Sequence, residues 1–313
     1  MASASVIVPA RDAESTLPRT LESLAAQDFP GEFEVLVVDD GSTDGTVQVA
    51  EAAPGPVTVL RQHAQGPAEA RNLAVEHASG EALAFCDADV YPEPGWLRAG
   101  VAALETADLV QGHVVPDDTV PLGPFDRTLW ILSEVGLWQT ANLFATRAIF
   151  DAIGGFEDWL EVDIGKVMAE DVWFGWRAKR AGATSAFCAE ARAFHAVFPR
   201  DWRGYVDERR RLLYFPAMAA KTPELREHFF YRRLFLSRRS AAFALFTAGL
   251  AAAAALRSPL PLAAGLPYAR IARARAAPFG RTPGAVELAD LVADAESLAS
   301  MLRGSARYRS PLL

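Results

Sequence analysis

Two pairs of acids stand where they could do chemistry. Asp87 and Asp89, in FCDADV, follow immediately on the apolar run EALAF, which reads as a buried strand. Desolvating an unpaired carboxylate is costly or forces it to take up a proton, so acids at the end of a buried strand need something that offsets their charge. Magnesium or manganese would do it, because both prefer hard carboxylate oxygens and both bridge protein to diphosphate. Glu170 and Asp171, in MAEDVWFGWRAKRAG, form the second pair at the opening of a helix whose Val172, Trp173 and Trp176 can pack inward. An ionised carboxylate there could take a proton from a hydroxyl within hydrogen-bond reach. The helix dipole favours acids at such a terminus in any case, so the residues alone leave both readings open.

The segments that must position these acids alternate strand and helix patterns through the first 110 residues. ASVIVPA, FEVLVVDDGS, VTVLRQ and EALAFCDADV are strand-like. Between them AESTLPRTLESLAAQ, with Leu17, Leu21 and Leu24 at helical spacing, TDGTVQVAEAA and AEARNLAVEHAS are helical. Continuous apolar strands separated by helices predict an α/β fold with a mostly parallel sheet covered on both faces. Ligands bind at the strand C-termini of such sheets, which here collects Pro9, Arg11, Asp39, Asp40, Asp87 and Asp89. The first strand is followed by PARDAEST rather than GxGxxG, and no P-loop is present, so phosphates must be neutralised by something other than a glycine-rich turn.

Read in order, VIVPARDAESTLPRTLESLAAQ, FEVLVVDDGSTDGT and GPAEARNLAVEHASGEALAFCDADV resemble a family-2 glycosyltransferase with the GT-A fold, over about Val6 to about His195. The resemblance implies a metal-dependent, inverting transfer of a sugar from a nucleotide diphosphate sugar, with UDP favoured, to a hydroxyl acceptor. Pro9 and Arg11 would then border the nucleobase, and Asp39 and Asp40 close the second strand, with Asp40 accepting a hydrogen bond from the uracil imide. Ser42 reads equally as a helix cap. Arg71, in GPAEARN, would bind diphosphate oxygens in a fork, while Asn72 beside it carries no preferred role. Asp89 would ligate Mg2+ or Mn2+, Asp87 would meet the ribose or a metal-bound water, and His195, in ARAFHAVF, would complete the metal site or contact diphosphate.

The same resemblance makes Asp171 the general base, with Glu170 its partner. Glu161 and Asp163, in the preceding EDWLEVDIGKVMA, compete for that role. Gln139, Thr140 and Asn142, in LWQTANLFATRAIFDAIGGFED, could border the sugar or acceptor, and strand-end capping explains them nearly as well. The expected division is a catalytic domain over 1–200, with a nucleotide-sugar half to about 110 and an acceptor half from 111, then a helical region over 201–313.

That last region differs in character. The net charge of −8 combines an acidic body to residue 199 with a basic stretch over 200–281. DWRGYVDERRRLLYF and FFYRRLFLSRR interleave arginines with aromatics, and SAAFALFTAGLAAAAAL then runs 17 residues without a charge up to Arg257. At about 1.5 Å per residue this run spans about 25 Å, marginal for a bilayer. Attachment to an anionic membrane face, a tilted spanning hairpin and an alanine-rich helix packed on the catalytic domain all fit, the first best. VELADLVADAESLASMLRGSARYRSPLL has amphipathic helical spacing and should pack back on the protein or the same membrane face.

Two cysteines, Cys86 and Cys188, without CxxC spacing support neither a disulfide framework nor a thiolate zinc site. With no export signal visible, the expected location is the cytoplasmic face of a membrane. Nothing resembles a nucleic-acid-binding module. A nucleotidyltransferase and a non-catalytic, membrane-attached sugar-nucleotide binder remain as alternatives. The acceptor could be lipid-linked or a cell-envelope glycan.

Overall fold

The computed structural model describes residues 3–160, 162, 168–279 and 284–313. Glu161 and Asp163, the competing acids, lie outside the described residues. The chain forms two compact units: Met1–Val120 with Thr128–Val197, and Pro121–Arg127 with Phe198–Leu313.

In the first unit β1 (Ala4–Ala10), α1 (Leu17–Ala25), β2 (Phe33–Asp39), α2 (Thr46–Glu51), β3 (Val57–Arg61), α3 (Pro67–His77) and β4 (Ala82–Cys86) alternate as the apolar runs predict. They are followed by β5 (Val90–Pro92), α4 (Trp96–Ala103), β6 (Leu109–Pro116), β7 (Asn142–Thr146), α5 (Arg147–Ile153), α6 (Glu170–Arg180) and β8 (Ser185–His195). One eight-stranded sheet results, in the order β3-β2-β1-β4-β7-β6-β8-β5. Strands β3, β2, β1 and β4 run parallel, β7 is antiparallel to both β4 and β6, β8 is parallel to β6, and β5 is antiparallel to β8. Every residue of β4 is buried, as a strand covered on both faces requires.

Helix α1 buries Leu17, Leu21 and Leu24, the three leucines at helical spacing, together with Thr20. It begins later than its sequence pattern suggests, because Ala13 to Thr16 form a turn in which Thr16 N–H donates to the Ala13 carbonyl at 3.0 Å. Helix α6 opens at Glu170 as expected, and Val172 and Trp176 are buried, yet the other large side chain it buries is Phe174 rather than Trp173. The Trp173 indole lies under Arg177 and Arg180 and donates to Glu157 at 2.8 Å.

Asn142 holds the antiparallel part of the sheet together from inside. Its Oδ1 accepts from the Trp96 indole at 2.8 Å, and its Nδ2 donates to the carbonyls of His113 at 3.1 Å and Ala191 at 2.8 Å. The two carbonyls flank the irregular pairing of β6 with β8 between Gly112 and His113. Fully buried and saturated, Asn142 is a structural residue and does not border an acceptor.

The second unit is helical: α7 (Trp202–Asp207), α8 (Phe215–Lys221), α9 (Leu225–His228), α10 (Arg238–Leu256), α11 (Leu266–Ala276) and α12 (Ala285–Tyr308), with 3-10 turns at Glu208–Tyr214, Leu260–Gly265 and Ala277–Phe279. Helix α12, the amphipathic stretch of the sequence, packs on α7, α8 and the first of these turns. It carries Asp290, fully buried, which accepts from Arg275 at 2.7 Å and Tyr205 at 3.1 Å and pairs with Arg239 at 3.1 Å. Asp294, one turn on, accepts from Tyr268 at 2.7 Å and Arg239 at 2.9 Å. Among the described residues α10 is the helix long and apolar enough to cross a membrane by length and composition.

Replacing Asn142 by Ala strands an indole N–H and two carbonyls in the interior. Each orphaned group costs about 1–3 kcal/mol, so N142A should lose roughly 3 kcal/mol or more in urea unfolding followed by tryptophan fluorescence. A loss below about 1 kcal/mol would show that entering water satisfies these groups instead.

Candidate active site

Arg71 is the hub. It lies on the buried side of α3, where Ala68, Ala70 and Ala74 let the helix sit close to the sheet, and only 4% of it is exposed. Nη2 donates to Asp87 Oδ1 at 3.2 Å, just beyond β4, and Nη1 donates to Glu170 Oε1 at 3.0 Å, at the start of α6. One guanidinium therefore joins the two acid pairs that the sequence keeps more than 80 residues apart. Burial works to lower the Arg71 pKa, and Asp87, Glu170 and Asp171 together raise it above the ordinary value. Both terminal nitrogens are engaged, so a diphosphate would have to share or displace a carboxylate to be gripped by this fork. Nε is buried without a hydrogen-bond partner among the described residues.

Two acids of this cluster, Asp87 and Asp171, behave differently from free carboxylates. Burial pushes Asp87 up, with Asp89 adding to it, and Arg71 and His195 offset only part of the rise. Asp171 is pushed up to about 8, by burial first and then by the negative charge of Glu170. Its Oδ1 accepts from the Val172 N–H at 2.7 Å. A carboxylate poised near the working pH, next to a like charge, is the arrangement expected of an acid–base group.

Asp89 is placed by the pairing of β5 with β8. Val90 lies opposite His195, and the Ala196 N–H donates to the Asp89 carbonyl at 2.9 Å. This brings His195 Nε2 within 3.5 Å of Asp89 Oδ1. His195 Nδ1 is 2.7 Å from the Ala196 carbonyl, which can only accept, so Nδ1 carries a proton. In the neutral ring, Nε2 then presents a lone pair to a carboxylate, and two such groups need a proton or a cation between them. A backbone-anchored Nδ1–H with Nε2 turned to a carboxylate suits a metal ligand. Among the described residues no group of three or more His, Cys, Asp or Glu is arranged to hold a metal by itself.

The other end of the site is built from the loops after β1 and β2. Asp12 N–H donates to Ser42 Oγ at 3.0 Å, Thr43 N–H to Asp12 at 2.8 Å, and Gly45 N–H to Glu14 at 3.0 Å. Ser42 thus laces two loops and does not cap α2, whose N-cap is Gly45. Pro9 pairs with Val38 inside the sheet, and Asp39 Oδ1 accepts from Ser42 N–H at 3.2 Å. Asp40 Oδ1 receives Gln62 Nε2 and Gln65 N–H, both at 2.7 Å, while Oδ2 receives Gly66 N–H at 3.0 Å and lies 3.8 Å from half-exposed Arg11. Oδ2 keeps acceptor capacity for one more donor.

Several roles left open by the sequence are now placed. Asn72 pairs both ways with the Phe156 backbone, accepting its N–H at 2.8 Å and donating to its carbonyl at 3.0 Å, which fixes the segment leading to α6. Gly155 precedes it at φ +75°, and a Cβ there would sit 2.6 Å from Asn72 Oδ1. The Gln139 carbonyl accepts from Gln111 at 3.1 Å, and Thr140 is buried. Two participants had no readable signal: Thr128, whose hydroxyl lies 3.5 Å from His195 Nδ1, and the Gln62 to Gly66 loop on Asp40. Asp158, in GGFED, is a further acid held up by burial and by Glu170, and its signal was that motif.

Residues 5–156 match Glycosyl transferase family 2. Glycosyltransferase AglE of Haloferax volcanii is 30% identical over 220 residues, covering 64% of this chain and 70% of that protein. The chain belongs to glycosyl transferase family 2. It is therefore a glycosyltransferase. Poly(ribitol-phosphate) beta-N-acetylglucosaminyltransferase TarS of Staphylococcus aureus is 41% identical over 159 residues, which is 44% of this chain and only 28% of TarS. The solved structure of mannosyltransferase PcManGT from Pyrobaculum calidifontis, in complex with GDP-Man and Mn2+, superposes with a TM-score of 0.64 at 25% identity, over 96% of this chain and 86% of that one. The fold is GT-A. The family match ends at Phe156, ahead of Glu170, Asp171 and His195, so their placement in the site rests on the geometry above.

Arg71→Met should strand Asp87 and Glu170 beside one another. Breaking a buried ion pair costs about 3–5 kcal/mol, and R71M should lose stability on that order at pH 8. Adding Glu170→Gln should restore part of it. If R71M/E170Q is no more stable than R71M, the loss came from packing rather than from uncompensated charge.

Proposed function

We propose that this family-2 glycosyltransferase moves a sugar from a nucleoside diphosphate sugar to a hydroxyl acceptor, with inversion at the anomeric carbon. The observation that carries this reading is the convergence on Arg71 of Asp87, Glu170 and Asp171, with Asp89 and His195 beside Asp87. A candidate base and a candidate site for diphosphate neutralisation thereby share one cluster.

Asp89 and His195, with Asp87 behind them, would hold Mg2+ or Mn2+, which when bound supplies neutralisation of the diphosphate leaving group. The Mn2+ and GDP-Man in PcManGT support this. Asp171 takes the proton of the acceptor hydroxyl as its oxygen bonds to the anomeric carbon, and the bond from that carbon to the diphosphate breaks on the opposite face. Glu170 keeps the Asp171 carboxyl basic by its charge and, through Arg71, ties it to Asp87. Asp40 Oδ2 suits a base that offers a ring N–H beside a carbonyl, which uracil and guanine both do, and UDP is the first choice with GDP its rival. The acceptor we favour is a hydroxyl of a lipid-linked or cell-envelope glycan; TarS, named for transfer to poly(ribitol-phosphate), is a relative with a polymeric hydroxyl acceptor. A nucleotidyltransferase is set aside by the family, and turnover of donor separates an enzyme from a binder.

Asp89→Asn should abolish transfer and remove the dependence of donor affinity on Mn2+ in calorimetric titration, with the fold retained. Equal donor affinity of the unaltered protein in EDTA and in Mn2+ would refute the metal role.

Asp171→Asn should keep donor affinity near that of the unaltered protein while transfer falls by a factor on the order of 100 or more, the usual worth of a positioned base. Because Asp171 is protonated below about 8 in the free protein, transfer should rise with pH along an acid limb. Glu170→Gln removes the like charge and should move that limb to lower pH. A limb unmoved by E170Q would assign it to another group.

A further inference from the structure

Helix α10 and the segment after it form a two-limbed hairpin inside the second unit. A Cβ on Gly249 would meet the Pro261 carbonyl at 2.5 Å, and the Phe246 ring stacks on Tyr268 at 5.6 Å between centroids, so the chain returns antiparallel along α10 after Arg257. Away from that seam and from the face packed on α12, the hairpin is apolar and uncovered. Leu245, Leu256, Leu260, Leu262 and Leu266 are exposed, Leu260 by 82%. From Ser240 to Ala269 the one charged residue is Arg257, at the turn. Arg238, Arg270 and Arg273, exposed, mark the open end, whereas Arg239 and Arg275 are consumed by Asp290 and Asp294.

The geometry points to this hairpin lying in the plane of an anionic phospholipid surface, its leucines in the acyl boundary and its arginines among the headgroups. Charge and length select that occupant. Exposed arginines at both ends complement anionic headgroups, and a second copy of the same face would set arginine against arginine. The uncharged run of the outgoing limb spans about 25 Å, so only α10 as a whole approaches a hydrocarbon core of about 30 Å, and the return limb, from Leu260 to Ala269, spans about 18 Å and falls short, so the hairpin cannot cross and return. Upright insertion would carry Arg257 past the bilayer midplane while still short of the far headgroups, leaving its guanidinium in hydrocarbon at a high cost. Lying flat, Arg257 stays at headgroup level and the leucines are still buried.

The test uses the full chain and sedimentation with vesicles of phosphatidylcholine alone or mixed in equal parts with phosphatidylglycerol. Binding is expected to the mixed vesicles and to fall in high salt. Leu260→Asp with Leu266→Asp, at exposed positions, should weaken it about tenfold or more, as should Arg270→Glu with Arg273→Glu. An Arg257→Cys variant should react with a membrane-impermeant maleimide while bound, since the native Cys86 and Cys188 are buried. The proposal is overturned if the chain ignores the mixed vesicles, if the leucine variant binds as well as the unaltered protein, or if the introduced thiol is protected. It is likewise overturned if the leucine face proves to be a dimer seam, with the unaltered protein dimeric and the leucine variant monomeric without lipid.

Discussion

The site depends on one buried cation. A guanidinium that is almost wholly removed from water is tolerable only if carboxylates meet it, and Asp87 and Glu170 do so from different elements. The requirement runs both ways, because a carboxylate at the edge of a buried sheet needs a cation to offset its charge. Arg71 therefore fixes where the end of β4 lies relative to the start of α6. Those are the places from which Asp89 and Asp171 project. The pair is better understood as a means of positioning than as a source of stability, since buried ion pairs gain little net free energy over apolar packing.

Around that cation the polar residues divide the work. Asn72 clamps the Phe156 backbone and Asn142 clamps the His113 and Ala191 carbonyls, so the two amides hold the chain on either side of the acids. The short β5 does the same for the metal end, because its register against β8 decides that Asp89 meets His195. None of these residues needs to touch a substrate to matter. Each removes a degree of freedom from a group whose chemistry requires a fixed geometry.

The alternation of β1 to β4 with α1 to α3 was legible because buried parallel strands must be continuous apolar runs and each is bounded by a helix pattern. Asp87, Asp89, Glu170 and Asp171 were legible as acids in unusual places, and the structure brings two of them, Asp87 and Glu170, onto one arginine whose charge a third, Asp171, also feels. The use of that arginine was not legible. A fork suited to diphosphate is equally suited to two carboxylates, and only the fold decides which is within reach. Asn142 was unreadable for a similar reason: an amide at a strand start can face solvent, a ligand or the interior with the same neighbours in sequence. Trp173 was read as inward by spacing, yet its indole found a carboxylate and two arginines at the surface, while Phe174 took the core position.

In the helical unit, composition underdetermined placement for a different physical reason. An alanine-rich, uncharged stretch is compatible with water-facing, protein-facing and lipid-facing helices, since alanine is a good helix former that gains little by burial. Contacts resolve what composition could not. Arg239 and Arg275 turn inward to Asp290 and Asp294, so part of the basic excess is internal structure and only the remainder can act on a partner. The leucines divide the other way, with those of the hairpin left outside although the unit has a buried core at Phe243, Tyr268 and Met301. A fold that buries charged groups while leaving leucines uncovered has placed its free energy against the usual gradient from apolar interior to polar surface. Leucines left outside in this number mark a surface that would gain free energy on being covered by an apolar partner.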